Sequence, residues 1–224
     1  TINLTVTTVG AALGDGTLGV TLAQKSGIQT GGGTITVTNT GTLSVDQPVL
    51  SDAGTVAGGT IQLKASSDIT TSLTGPITSS GTGANTAGGE ILIWSTGGNI
   101  TLGTAVSANG NGTASGALIT ITTDAVAGSV QVSAVSSTGG GGNAGSLVQI
   151  NSGTGGTTQA GVTVITALSL KVISTGTVTL ANNNAASNFA ADLSTAATTK
   201  NLTFNNTINL TVTTVGAALG DGTL

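Results

Sequence analysis

Apolar and polar residues alternate in short bursts along much of the chain. Ile35 and Val37 share one face of TITV, Ile61 and Leu63 one face of TIQL, and Ile91 and Ile93 one face of EILIW. Ile119 and Ile121 do the same in ALITI, and Val148 and Ile150 in SLVQI. A period of two marks a strand with one buried face. A second run follows most of these after a short turn: Leu43 and Val45, Ile69, Ile100 and Leu102, Val130 and Val132. A pair of small residues precedes each first run: Gly32-Gly33, Gly58-Gly59, Gly88-Gly89, Ser115-Gly116 and Ala144-Gly145. The starts near 32, 58, 88, 115 and 144 recur at nearly even intervals, within the range of solenoid repeats. The later chain is less regular. VTVITALSLKV and GTVTL cover 162–180, and NLTF and INLTV place Leu202, Phe204, Ile208 and Leu210 on an inward face. The segment from Ala181 to Thr199 has little alternation and reads as a loop or a laterally displaced turn.

A longer period lies over this one. Residues Thr1 to Leu18 read TINLTVTTVGAALGDGTL, and Thr207 to Leu224 repeat all eighteen letters at an offset of 206. The chain is therefore read as one full repeat unit, 1–206, and the start of the next identical unit, 207–224. Self-similarity decides architecture before single residues do. Coils of roughly 26 to 30 residues, each with two or three short strands, predict an all-β fold. The expected architecture is a parallel β-helix (β-solenoid) of about seven coils per 206-residue tandem repeat, with eight as the alternative count. At one strand spacing per coil, seven coils advance roughly 34 Å. Gly and Asn suit the turns because they tolerate left-handed backbone; Asn182-Asn183-Asn184 and Gly139 to Gly142 are turn material of this kind.

Composition agrees with the pattern. Charged residues make up 5% of the chain, against about 25% in ordinary domains. Among the larger aliphatic residues the β-branched Val and Ile outnumber Leu, which suits a pleated, half-buried surface. The net charge is −4, and Lys25, Lys64, Lys171 and Lys200 are the only cations. Phosphate binding needs clustered Lys or Arg, so nucleic acid is not an expected partner. No run of about 18 apolar residues is present to span a membrane. There is no Met and no charged-then-apolar leader, so a signal peptide is expected to lie outside this stretch.

The stretch AGGEILIWSTGGNITLGTAVSANGNGTASGALITI, residues 87–121, resembles the repeats of the filamentous haemagglutinin family of large bacterial exoproteins. Gly88-Gly89-Glu90-Ile91, Gly98-Asn99-Ile100-Thr101-Leu102 and Ser107-Ala108-Asn109-Gly110 carry the resemblance, which extends loosely over 31–151. It implies a right-handed β-helix, bacterial secretion and, in many members, adhesion.

The chemistry of catalysis is sparse. The chain has no His and no Cys, the usual transition-metal ligands and nucleophile partners. The acids Asp15, Asp46, Asp52, Asp68, Glu90, Asp124, Asp192 and Asp221 are scattered about one per coil. Asp46 and Asp52 form the one close pair and bracket Pro48 in what reads as a loop. The Asp-bearing calcium repeat GGxGxDx is missing, since the Gly-rich turns lack Asp. Thr34, Thr36 and Thr38, Thr120 and Thr122, and Thr177 and Thr179 resemble an ice-binding ladder. Gln62 with Lys64, and Leu92 with Trp94, interrupt it. Trp94 falls at an outward strand position, where it reads either as an interfilament or ligand contact or as a residue covered by a loop. Six Asn-x-Ser/Thr sequons, at Asn3, Asn99, Asn111, Asn201, Asn205 and Asn209, permit glycosylation.

No catalytic, cofactor-binding or metal residue is therefore singled out, and no cofactor is expected. The sequence points away from an enzyme and towards a structural filament at the cell surface or outside the cell, or the stalk of a secreted adhesin. Its expected partners are adjacent repeats stacked end to end, with lateral self-association or a host or cell surface beyond them.

Overall fold

The computed structural model describes residues 25–52, 56–140, 146–194 and 199–215. It also describes four short strands before them: Leu4–Val6, Thr8–Val9, Leu13–Gly14 and Thr21–Leu22. Among the described residues the chain is all-β and winds into a β-solenoid of about six turns. Each turn gives one strand to each of three parallel stacks. The long stack holds Ile35–Asn39, Ile61–Ala65, Ile91–Ser95, Ile119–Thr123 and Leu147–Ser152. The middle stack holds Leu43–Val45, Ile69–Thr71, Ile100–Leu102, Ser129–Val132 and Gly156–Gln159. The short stack holds Ile28–Gln29, Val49–Leu50, Ile77–Thr78, Val106–Ser107 and Val135–Ser137.

Like stacks on like because the alternation is in phase from turn to turn. In the long stack Ile35, Ile61, Ile91, Ile119, Val148, Leu170, Phe189 and Val212 stand one above the next. Leu43, Ile69, Ile100 and Val130 form the matching column of the middle stack, and Val49, Ile77, Val106 and Val135 that of the short stack. Nearly all of these side chains are buried, in one continuous core. Burying each Val, Ile or Leu contributes about 1.5–3 kcal/mol. A slip of one residue in any turn would carry its whole apolar set outside.

The corners are closed by small polar residues facing inward. At the end of the long stack stand Asn39, Ala65, Ser95, Thr123, Ser152 and Ser174, all buried. Asn39, Ser95, Thr123 and Ser174 serve turn backbone, and Ser152 bonds the hydroxyls of Thr157 and Ser174. Ser95 Oγ donates to Ser67 O (2.7 Å) and accepts from Gly98 N (2.9 Å), and Thr123 Oγ1 donates to Gly98 O (2.6 Å). At the opposite corner Ser51 donates to Gly33 O and Ser79 to Gly59 O. The Gly-Gly pairs read from sequence sit against these serines. A Cβ on Gly59 would overlap Gly32 O and Gly33 O, and one on Gly89 would overlap Gly59 O. The requirement there is close approach of backbone rather than an unusual φ.

Asn and Asp at the outer turns tie each turn to the next. Asp68 Oδ1 accepts from Asn99 N (2.7 Å) and Asn99 Oδ1 from Ser129 N (2.9 Å). Asn85 Oδ1 accepts from Thr113 N (2.8 Å) and Asn109 Oδ1 from Thr138 N (2.9 Å). Each bond spans one turn of the chain.

The segment from Ala181 is not the loop its sequence suggests. Val178–Asp192 is one strand that bends through all three stacks, and Ile165–Ser174 likewise serves two of them. These turns are short. The steps from Val148 to Leu170 and from Leu170 to Phe189 use distinctly less chain than any earlier step along the long stack. Without length for loops, the strand rounds each corner directly. Small or polar residues take inward positions in these turns, which hides the alternation. Ala186 is buried, and Asn184 stands fully buried where earlier turns have Val or Ile. The ladder slips between Leu180 and Asn184. There the Asn184 amide takes over: its Oδ1 accepts from Ile165 N (2.9 Å) and Gln159 Nε2 (2.8 Å), and its Nδ2 donates to Leu180 O (3.1 Å) and Asn205 O (3.2 Å). Phe189 and Phe204 stack face to face at 4.2 Å in the last turn. Leu202, Ile208 and Leu210, inward by pattern, are exposed because no turn covers them. The expected start at Ala144-Gly145 and the end of the Gly139–Gly142 turn lie outside the described residues.

Ile93→Ala is expected to cost about 2–5 kcal/mol in chemical denaturation, as a large-to-small change in a full core. Asn184→Ala is expected to cost at least about 1–3 kcal/mol, because it strands the Ile165 N–H. Thr38→Ala, on the exposed outer face, is expected to stay within about 0.5 kcal/mol.

Candidate functional site

The outer face of the long stack is where strand geometry presents side chains in regular array. Two columns run along it. One reads Thr36, Gln62, Leu92, Thr120, Gln149, Lys171, and the other Thr38, Lys64, Trp94, Thr122, Asn151, Ile173. Threonine is thus interrupted in both columns at the second and third turns. A flat, unbroken Thr lattice is not formed on this face.

Trp94 is the chemical focus of the face. Neighbouring strands place Lys64 and Trp94 side by side, and the Lys64 ammonium sits over the indole, 3.7 Å from the ring centroid. The indole N–H donates to Asp124 Oδ2 at 2.7 Å. Three successive turns thereby contribute a cation, an aromatic ring and an anion to one surface cluster. The ring's quadrupole attracts the ammonium, and the carboxylate satisfies the one polar atom of the indole. Alternation correctly assigns Trp94 an outward position. It gives no sign of the Lys64 and Asp124 partners, which lie one turn away on either side and meet the ring only through the turn length. On the same face Gln149 Oε1 and Asn151 Oδ1 are buried without a hydrogen-bond partner.

Asp46, Asp52, Asp68 and Asp192 are tied into turns, and Glu90 is exposed immediately before the strand Ile91–Ser95. Asp46 Oδ1 accepts from Ser44 Oγ (3.2 Å), and Asp68 caps Asn99 N. Asp52 Oδ2 accepts from Ser80 N at 3.2 Å. Burial pushes the Asp52 carboxyl above its ordinary value, and the Ser80 N–H opposes that only in part. Asp192 is fully exposed, and the Ser194 hydroxyl and N–H, with a smaller contribution from Lys171, hold it below the usual carboxylate range. The loop read between Asp46 and Asp52 contains a short strand, Val49–Leu50, so the two acids belong to different ends of a structured edge. Among the described residues no group of three or more His, Cys, Asp or Glu side chains is placed to share a metal ion. Asp15, Asp221 and the sequon at Asn3 lie outside the described residues. Of the other sequons, Asn99 and Asn111 already use their amides in bonds between turns.

Compared with protein-family models, with curated proteins and with solved structures, the chain matches none.

A double-mutant cycle on Lys64→Ala and Trp94→Ala is expected to give a coupling of about 0.5–1 kcal/mol, the range for a cation over an exposed ring. The Asp52 carboxyl should leave its mark on pH dependence. Its folded pKa is raised, so the protonated form suits the fold, and stability falls as pH rises from the ordinary carboxylate value through the folded one. Asp52→Asn is expected to remove that fall. Denaturation midpoints measured across the acid range, with the same slope in both proteins, would contradict it.

Proposed function

We propose that this chain is a structural segment of an extracellular or cell-surface filament, in which 206-residue units follow one another in a right-handed β-solenoid rod. One observation carries the reading: eighteen residues recur without change at an offset of 206 in a chain whose fold grows by adding equivalent turns. A solenoid lengthens without changing its cross-section, so repetition of a unit produces length and stiffness. The right hand is the one that the resemblance of residues 87–121 implies, and it accords with the general preference for right-handed crossovers between parallel strands. On this reading the unit acts through length and stiffness: Asp68 and Asp52 cap turns, and Trp94 ties three turns together. Its partners are the adjacent units of the same protein. The resemblance of residues 87–121 to bacterial exoprotein repeats favours a second reading, a secreted adhesin in which this stretch is the stalk and a separate tip binds the surface.

Aligned samples of the protein carrying its full array are expected to diffract with a meridional spacing of about 4.8 Å, strands lying across the long axis. Electron micrographs should show unbranched rods of constant width whose length scales with the number of units. Compact particles whose dimensions do not grow along one axis would overturn the proposal.

A further inference from the structure

The two copies of the repeated segment hold different registers. In the first, Leu4–Val6 pair with Leu43–Val45 of the middle stack. In the second, Thr211–Val212 pair with Asn188–Phe189 of the long stack. Val6 and Val212 are the same position of the repeat. Identical residues cannot keep both registers within one regular array. What separates the two settings is the turn ending in Phe189, on which only the second copy is seated.

The turn length says which register a continuous array would hold. Val6 and Ile35 stand as far apart in the chain as Ile119 and Val148, which are neighbours in the long stack. One ordinary turn therefore fits between Val6 in the long stack and Ile35 above it. Both ends of this join are apolar. On the last turn Leu202, Ile208, Leu210 and Val212 are 43%, 47%, 38% and 77% exposed. At the other end Val37 and Ile28 are only half buried. Covering four such side chains removes the largest apolar exposure on that end of the rod, and it pairs the open strand edges as well.

We infer that successive units join without a break in the stack, with Val6 of each unit seated between Phe189 of the unit before and Ile35 of its own. The occupant of the exposed end is thus the next copy of this same sequence. From Val6 the long stack climbs through Ile35, Ile61, Ile91, Ile119, Val148, Leu170 and Phe189 to Val212, the same position one unit on. That makes eight turns per unit, the larger of the two counts that the spacing of the Gly pairs suggests. Eight turns advance about 38 Å. The inference rests on the tandem arrangement proposed above and adds its register.

The absence of Cys from the unit makes disulfide trapping a clean test. In the joined register Thr5 lies beside Thr34 on the outer face, whereas in the register of the first copy it lies beside Ser44. Neighbouring parallel strands hold such a pair within the separation a disulfide needs. The tandem chain would carry Thr5→Cys with Thr34→Cys, or Thr5→Cys with Ser44→Cys, in one internal unit, and be oxidised with diamide. Peptide mapping should find the 5–34 disulfide in most chains and the 5–44 pair reduced. A 5–44 disulfide, or neither, overturns the junction. Micrographs of the same samples separate the two ideas. Rods without the 5–34 bond leave the filament standing and remove this register, whereas a 5–34 bond in chains that form no rods does the reverse.

Discussion

Every strand of the three parallel stacks depends on a strand one turn away in the chain; only the short antiparallel pairs Thr8–Val9 with Lys25–Ser26 and Leu13–Gly14 with Thr21–Leu22 are made otherwise among the described residues. A parallel ladder satisfies its backbone N–H and C=O groups only through a neighbour above and one below, and no strand of these stacks pairs within its own turn. The same stacking lays Ile on Ile inside, so hydrogen bonding and apolar burial demand one geometry. Turn length is the quantity both constrain. The turn from Leu170 to Phe189 is much shorter than the one from Ile61 to Ile91, and the difference is taken up at corners. The phase of the alternation has no such freedom.

The corners show how that constraint shapes the sequence. Where the backbone leaves one stack for the next, its polar groups lose their ladder partners. Inward Ser, Thr and Asn replace those partners, and glycine lets the chain pass close to the serines. Asn and Asp on the outer turns add bonds from one turn to the next. Few charges are needed for any of this. The scarcity of charge and the wealth of Ser, Thr, Asn and Gly follow from the architecture, as does the use of carboxylates as caps.

The long, middle and short stacks differ in how readable they are. Ile61 and Leu63, or Ile91 and Ile93, announce themselves by alternation, and the Gly pairs mark the corner before them. The short stack is not legible as a separate element, since two residues such as Val49–Leu50 or Ile77–Thr78 are too few to show a period. From Ala181 on, the strand Val178–Asp192 reads as a loop or a displaced turn because its inward positions include Ala186 and Asn184 rather than Val or Ile. There an amide does the work of a ladder. The Lys64–Trp94–Asp124 cluster is half legible: alternation gives the direction of Trp94, but its partners come from adjacent turns and require the register to be known.

Dependence of each turn on its neighbours has a signature in amide hydrogen exchange. Opening of a quasi-one-dimensional stack begins at its ends, so protection should be graded along the axis. In the 224-residue chain the amides of Ile91, Ile93, Ile119 and Ile121 are expected to exchange slowest. Those of Thr211 and Val212 should exchange fastest among strand residues, with Ile61 and Leu170 protected more than the end. Uniform protection from Ile35 to Val212, or greatest protection at Thr211 and Val212, would contradict a fold held together turn upon turn.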